Sequence, residues 1–390
     1  MLAVLIQRIG VLHKYYDTIP GFAGTLPQYF AGHDNVAKEI EARRLFVNNS
    51  PVLAALKQAN KKQTYLIIIG ESLSRKHMGV YGYARNTTPE LAKLSDELTV
   101  QTNTISNFVQ TQPSLRRALT QVNNDNKMPV GKALSMVDIA NKAGFKTWWI
   151  SNQQPLRSTI SAIANMADET HYISNDYHGV EVRRFDGFML PYLKKALNDN
   201  AEHKVIFVHL MGSHLQYQNR YPEAFEKFTD QPESGHQENL SSRQVEYINS
   251  YDNSVLYTDH VVVSMINTLK NVSAKQVSAA LFFSDHGEEV FDNRGFVGHG
   301  PESVTPNMVE IPFITWMSAQ YRQSRPADFS AMQANHNQPF SLNNDFHFVS
   351  SLIGIESEVV REPHSLTSPQ YTSAKWMVYK KDYDLGVKHQ

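Results

Sequence analysis

The residues of this 390-residue chain best suited to chemistry are carboxylates and histidines that follow short apolar runs. Glu71 closes Tyr65-Leu66-Ile67-Ile68-Ile69-Gly70, and Asp285-His286-Gly287-Glu288 closes Leu281-Phe282-Phe283-Ser284. Carboxylate oxygen and imidazole nitrogen together suit a borderline divalent ion such as zinc, typically with four ligands. Asp and His are also ordinary turn and capping residues, so the pair gains weight only from its surroundings. His299-Gly300 follows downstream, and His209 and His214 flank the end of the run Val205 to Leu210. With 16 histidines in the chain, some would fall near any site; His209 reads as a core residue, and His214, in Met211-Gly212-Ser213-His214, as a functional one.

Group transfer would also need a nucleophile. The segment Asn107-Phe108-Val109-Gln110-Thr111-Gln112-Pro113-Ser114 ends a strand-like run and opens a helical one, with Pro113 suited to the first helical turn. Thr111 then lies at or before a helix N-terminus, where backbone N–H groups favour a phosphoryl anion. A threonine hydroxyl is a poor nucleophile until its pKa is lowered, and metal coordination is one way to lower it. Thr and Ser are equally the ordinary N-caps, so capping competes with catalysis here.

These groups need a scaffold that brings distant stretches together. Apolar, β-rich runs at Tyr65 to Ile69, Phe145 to Ile150, Val205 to Leu210 and Ala279 to Phe283 alternate with helical patterns at Ala92 to Glu97, Ser114 to Val122, Lys132 to Ala143, Gly187 to Leu197 and Val245 to Leu269. The alternation predicts an α/β fold with a mostly parallel central sheet and helices on both faces. In such sheets ligands collect outside the carboxyl ends of the strands, so Glu71 and Asp285 should meet. Pro312 to Trp316 and Ala374 to Tyr379 read as late or edge strands, and residues 228–242 and 318–344 as polar surface loops. Residues 1–60 read as an N-terminal helical linker segment, proximal to a membrane, and residues 61–390 as the catalytic domain. Within the linker, Leu2, Leu5, Ile6, Ile9 and Leu12 fall at helical spacing, which fits a helix lying on a membrane or on its own domain.

Composition removes several classes. Lys plus Arg number 37 against 38 for Asp plus Glu, with no block of one sign, so no nucleic-acid groove is indicated. The absence of Cys removes disulfides, thiolate metal sites and cysteine nucleophiles. No stretch reaches the roughly 18 to 20 apolar residues that span a bilayer.

Together the motifs resemble the alkaline phosphatase/sulfatase superfamily and, within it, the membrane-anchored phosphoethanolamine transferases that modify bacterial lipopolysaccharide. The resemblance rests on Gly70-Glu71-Ser72, on Gly82-Tyr83-Ala84-Arg85-Asn86-Thr87-Thr88-Pro89, on Met211-Gly212-Ser213-His214 with Arg220-Tyr221-Pro222, on Tyr251-Asp252-Asn253 through Thr258-Asp259, and on Ser284-Asp285-His286-Gly287-Glu288 with His299-Gly300. It covers roughly residues 60–355. It implies a catalytic zinc held by Glu71, Thr111, Asp285 and His286, with Thr111 carrying the phosphoethanolamine. It further implies that His214, His299 and Glu288 serve a second zinc or the donor's phosphate, and that Asn152 contacts the phosphoethanolamine group. Ser114 competes with Thr111 as nucleophile, and the family's spacing favours Thr111.

The implied donor is phosphatidylethanolamine and the implied acceptor is lipopolysaccharide, at core or lipid A, or another envelope glycan. The implied setting is the periplasmic face of a bacterial inner membrane, reached through a transmembrane region that this chain lacks, with the protein a monomer. Thr111-Gln112-Pro113-Ser114-Leu115-Arg116 is also similar to the sulfatase signature, yet threonine cannot be oxidised to the formylglycine aldehyde that sulfatases use. With no Cys, the chain fits branches that decorate core sugars better than the disulfide-bearing lipid A branch. Rival readings are a metal-dependent phosphodiesterase or phosphatase, a phosphoglycerol transferase of the same superfamily, and a non-catalytic envelope-binding protein.

Overall fold

The apolar run ending at Gly70 forms strand β1 (Gln63–Gly70), every residue of which is buried. Successive side chains leave a strand on opposite faces. Tyr65, Ile67 and Ile69 accordingly enter one apolar core, and Leu66 and Ile68 enter another on the far side of the sheet. A strand buried on both faces needs a continuous apolar run rather than an alternating one, which is what this sequence supplies.

The computed structural model describes residues 38–382 except positions 39, 124–125, 127, 156–158, 174–183, 233–235, 237–238, 374 and 380. The amphipathic pattern between Leu2 and Tyr16 lies outside the described residues. The remaining strands of the central sheet are β2 (Leu98–Val100), β3 (Lys146–Ser151), β4 (Glu169–Tyr172), β5 (His203–His209), β6 (Val277–Ser284) and β7 (Phe313–Met317). Their order across the 7-stranded sheet is β2-β7-β6-β1-β5-β3-β4. Strand β7 runs antiparallel to both neighbours, and β1, β3, β4, β5 and β6 run parallel. The sheet is therefore mixed but mostly parallel, as the sequence predicts.

One face is covered by the 31-residue helix Ser242–Val272, which starts in a capping box between Ser241 and Gln244. Its Tyr251, Val255, Val262 and Leu269 pack in the core that holds Leu66 and Ile68. The other face carries the helices Thr111–Ala118, Met136–Lys142 and Asp345–Leu352, which contribute Leu115, Val137, Ile139, Phe346 and Val349 to the core around Ile67. The chain before β1 packs on this body too. Ala55–Leu56 pairs with Ile355–Glu356, and Arg43 forms a buried ion pair with Asp138. Among the described residues, no helix is long and apolar enough to cross a membrane.

Several sequence expectations need correction. Residues 318–344 are not a surface loop: Ser318 caps the helix Ala319–Ser324, and Pro326 opens a second helix, Pro326–Ala334. Their apolar residues are too sparse to show a period, but Tyr321, Ala331 and Met332 are buried. Strand β7 is a late strand, as expected, and lies inside the sheet rather than at its edge, because β2 pairs outside it. The pattern read as a helix over Ala92 to Glu97 instead ends the helix Pro89–Lys93, makes one 3-10 turn, Ser95–Glu97, and leads into β2. In the tail, Met377–Val378 pairs only locally with Lys381–Asp382, apart from the central sheet.

Candidate active site

The parallel register sets the site. Gly70 of β1 pairs with Ser284 of β6, so Glu71 and Asp285 leave adjacent strand tips together, and the Asp285 N–H donates to the Gly70 carbonyl at 3.3 Å. On the other side of β1, Ile69 pairs with His209 of β5, and His209 with Ser151 of β3. Four strands therefore end level. The turn after Glu71 is tight: Ser72 sits at φ 53°, where side chains are disfavoured. Tyr251 holds it there, its hydroxyl accepting from the Ser74 N–H at 2.9 Å and donating to the Ser72 carbonyl at 2.8 Å.

Glu71, Asp285 and His286 are all buried, and one ligand atom from each lies within 4.8 Å of the others. His286 Nδ1 is 2.8 Å from the Gly287 carbonyl oxygen, so its N–H donates there and Nε2 is turned toward the carboxylates. Nε2 lies 3.3 Å from Glu71 Oε1 and 3.4 Å from Asp285 Oδ2. Asp285 Oδ1 accepts from the N–H groups of Ser72 and His286, at 3.2 and 2.8 Å, whereas its buried Oδ2 has no hydrogen bond among the described residues.

Burial pushes the Asp285 carboxyl up, and the neighbouring Glu71 charge pushes it further. Burial acts the opposite way on His286, but Asp285 and Glu71 outweigh it and pull the imidazole up. Burial would also raise Glu71, yet the hydrogen bond and charge of His286 hold it below the usual carboxylate range. Two buried carboxylates, one oxygen without a hydrogen bond and an imidazole Nε2 that can exchange its proton for a metal make a donor set that fits a zinc-class ion.

Thr111 is the first residue of its helix; the N-cap position belongs to Gln110. Its Oγ1 lies 3.1 and 3.2 Å from the two Glu71 carboxylate oxygens and 3.4 Å from His286 Nε2. The hydroxyl is thus turned into the carboxylate cluster rather than spent on a cap. Ser114 is placed differently: it is buried and donates to the Asp285 carbonyl at 2.5 Å.

A cavity of about 190 Å³ opens beside Thr111, lined in part by Glu71, Gln112, Gln153, Tyr172, His209 and His214. His214 Nδ1 is buried without a hydrogen-bond partner among the described residues. Burial drives His209 down to about 4, against the pull of Glu71, so this ring is neutral. It sits edge-on to Trp149, with ring centroids 6.0 Å apart. The second expected group assembles one step away. His299 Nδ1 lies 2.5 Å from Glu288 Oε2, and the His299 and His286 rings are 4.2 Å apart between centroids. His286, Glu288 and His299 could themselves hold an ion.

Asn152 is not brought to the cavity. It is buried, and its amide donates to the Arg184 carbonyl at 3.0 Å and to Asp186 Oδ1 at 2.8 Å. Asp186 in turn accepts from the N–H groups of Met211 and Gly212, both at 2.9 Å, which fixes the loop carrying His214. The neighbouring Gln153 faces the site instead, with Nε2 3.3 Å from Glu71 Oε2. Sequence reasoning missed Gln153, although its position just past a strand tip was the available signal. It also missed Tyr217, whose hydroxyl donates to Glu288 Oε1 at 2.6 Å and which no local pattern marks.

A hydroxyl at a helix start, set against a buried zinc-type donor set at the carboxyl ends of a mostly parallel sheet, defines an alkaline phosphatase/sulfatase-like catalytic domain. The chain belongs to the sulfatase family, whose model matches residues 63–355. Within that family it is similar to the phosphoethanolamine transferase EptC of Escherichia coli strain K12, at 34% identity over 379 residues, covering 92% of this chain. It is also similar to the phosphoethanolamine transferase CptA of Salmonella typhimurium, at 32% identity over 92% of this chain. The chain spans 64% of the length of each of these relatives. The crystal structure of the C-terminal periplasmic domain of Escherichia coli EptC superposes with a TM-score of 0.79 at 33% identity, covering 86% of this chain and 97% of that one. A zinc complex of the same domain superposes with a TM-score of 0.79 at 32% identity, covering 86% and 95%.

Proposed function

We propose that this chain is the catalytic domain of a zinc-dependent transferase that moves phosphoethanolamine from phosphatidylethanolamine to a lipopolysaccharide or another envelope glycan, working at the periplasmic face of the inner membrane. The observation that carries the reading is the Thr111 hydroxyl, held within 3.2 Å of both Glu71 oxygens beside a cavity. The similarity to EptC and CptA, which are phosphoethanolamine transferases, supports the choice of transferred group.

Glu71, Asp285, His286 and the Thr111 oxygen would hold the zinc, whose chemistry there is to lower the hydroxyl's pKa and to neutralise phosphoryl oxygens. Glu71 accepts the hydrogen bond of the Thr111 hydroxyl and so fixes the direction of its remaining lone pairs. Thr111 stands at a helix start, where N–H groups favour the incoming anion. Its Oγ1 bonds to phosphorus as the bond to the diacylglycerol oxygen breaks, and the hydroxyl proton ends on the departing diacylglycerol. An acceptor hydroxyl then bonds to the same phosphorus, the threonine bond breaks, and the acceptor's proton restores Thr111. His214 and His299 flank the reacting centre and would meet charge on the non-bridging oxygens, where electrostatic stabilisation contributes most.

The test is mass spectrometry of peptides from protein incubated with phosphatidylethanolamine and no acceptor. A phosphoethanolamine adduct on Thr111 is expected. An adduct on another residue removes the assignment of the nucleophile. Rapid release of ethanolamine phosphate without acceptor favours a hydrolase over a transferase.

A further inference from the structure

We propose a separate metal site, formed by His77, His236 and Asp292, that takes a zinc-class divalent ion and ties the loop following Glu288 to the segment around Tyr83. The three residues belong to neither histidine group of the catalytic centre. One ligand atom from each lies within 4.8 Å of the others. Asp292 Oδ1 is 3.1 Å from His77 Nε2 and 3.0 Å from His236 Nδ1, and the two rings are 5.4 Å apart between centroids. The side chains of His77, His236 and Asp292 are 0%, 3% and 8% exposed.

The outer partners decide which nitrogen is free on each ring. His77 Nδ1 lies 2.8 Å from Asp252 Oδ1, so the proton sits on Nδ1 and the Nε2 lone pair faces Asp292. Tyr83 donates its hydroxyl proton to Asp252 Oδ2 at 2.9 Å, which leaves its oxygen to accept from His236 Nε2 at 3.0 Å. The His236 lone pair is then on Nδ1, again facing Asp292. Arg85 completes the outer shell, its guanidinium 2.8 Å from Asp252 Oδ2. Rings whose far nitrogens are held by a carboxylate and a hydroxyl, with near nitrogens converging on a second carboxylate, are the usual surroundings of metal-binding histidines.

Two lone pairs and a carboxylate repel one another unless a cation lies between them. Protons can supply it at His77, where burial opposes the charged form but Asp292 and Asp252 outweigh it and push the imidazole up to about 10. At His236, Nδ1 is buried and its contact with Asp292 lies off the line of a hydrogen bond. An ion in the gap bonds each ring along its own lone pair and does not require ring and carboxylate to face each other. One divalent ion carries two positive charges, which stand against the carboxylates of Asp252 and Asp292. Two nitrogens and one oxygen suit zinc rather than calcium or magnesium, with water as a fourth ligand.

The test loads metal-stripped protein with zinc and counts bound zinc by mass spectrometry of the element. In a Glu71→Gln/Asp285→Asn background, which removes two of the catalytic donors, adding His236→Ala is expected to lower the zinc bound at saturation by one equivalent. Equal binding with and without His236→Ala overturns the proposal. Zinc-edge anomalous diffraction from wild-type crystals needs no variant: a peak at bonding distance from His77 Nε2, His236 Nδ1 and Asp292 is expected, and its absence at saturating zinc likewise overturns the site.

Discussion

Both carboxylate oxygens of Glu71 face the hydroxyl of Thr111, at 3.1 and 3.2 Å, although the two residues stand on different elements and 40 positions apart. The hydroxyl therefore has one strong acceptor and no capping duty. Thr111→Ala should lower diacylglycerol release from phosphatidylethanolamine by at least about 10³-fold. Zinc binding should persist, since Glu71, Asp285 and His286 remain. Thr111→Ser keeps the oxygen and should stay within about tenfold of wild type; a Ser variant as inactive as Ala would mean the oxygen is not the nucleophile.

Metal removal should act on stability as well as on turnover, because the donor cluster leaves Asp285 Oδ2 buried without a hydrogen bond among the described residues. Free zinc at 100 times its dissociation constant stabilises by about 2.7 kcal/mol per site. Calorimetry with chelator and then with zinc should show that rise in melting temperature, and Asp285→Asn should shrink it. An unchanged zinc response in Asp285→Asn would take that residue out of the metal set.

The two glycines that follow the site histidines should differ sharply. A Cβ on Gly287 would lie 2.0 Å from the Asn307 carbonyl oxygen, whereas one on Gly300 meets nothing within 4 Å. Gly287→Ala must shift backbone that carries His286, and should cost about 3 kcal/mol or more. Gly300→Ala should stay within about 0.5 kcal/mol of wild type. Urea unfolding of the two variants side by side checks both.

Tyr217 is buried and gives its hydroxyl to Glu288 Oε1 at 2.6 Å, while His299 holds the other oxygen at 2.5 Å. Tyr217→Phe removes one of the two partners of a buried carboxylate. A loss of about 1.5–3 kcal/mol is expected in denaturant titration. A neutral result would show that the Glu288 carboxylate does not depend on this hydroxyl.

Acid sensitivity should trace in part to His347, which accepts the Arg361 N–H on Nδ1. Burial, with His364 and Arg361 adding to it, drives this imidazole from 6.5 down to about 3. Between those values the unfolded chain binds a proton that the folded chain refuses, so stability is complete above about 6.5 and falls as pH drops toward 3. At pH 5 the loss from this residue is about 2 kcal/mol. His347→Asn keeps an acceptor without the titration, and should lose less stability than wild type between pH 7 and pH 5. Parallel losses in the two proteins would clear His347 of the effect.

Much of this was legible in the sequence. The runs ending at Gly70 and Ser284 could be read as doubly buried strands because apolar continuity is a local property, and the carboxylates at their ends followed at once. The same local reasoning failed over residues 318–344, where Tyr321, Ala331 and Met332 are too far apart to show a period and only a Ser cap and a helix-opening Pro marked the two helices.

Residue types and their order fixed the candidate donors Glu71, Asp285 and His286, and placed Thr111 near a helix start. Only the tertiary structure decided the register that sets Gly70 beside Ser284, and with it the distances that make these residues one site. It also decided that Gln153 rather than Asn152 reaches Glu71, and that Ser114 is tied to the Asp285 backbone while Thr111 is free to face the cluster. Periodicity and capping act over a few neighbours and are written in the chain. The aim of a side chain depends on strand pairing and on partners hundreds of positions away, which packing alone supplies.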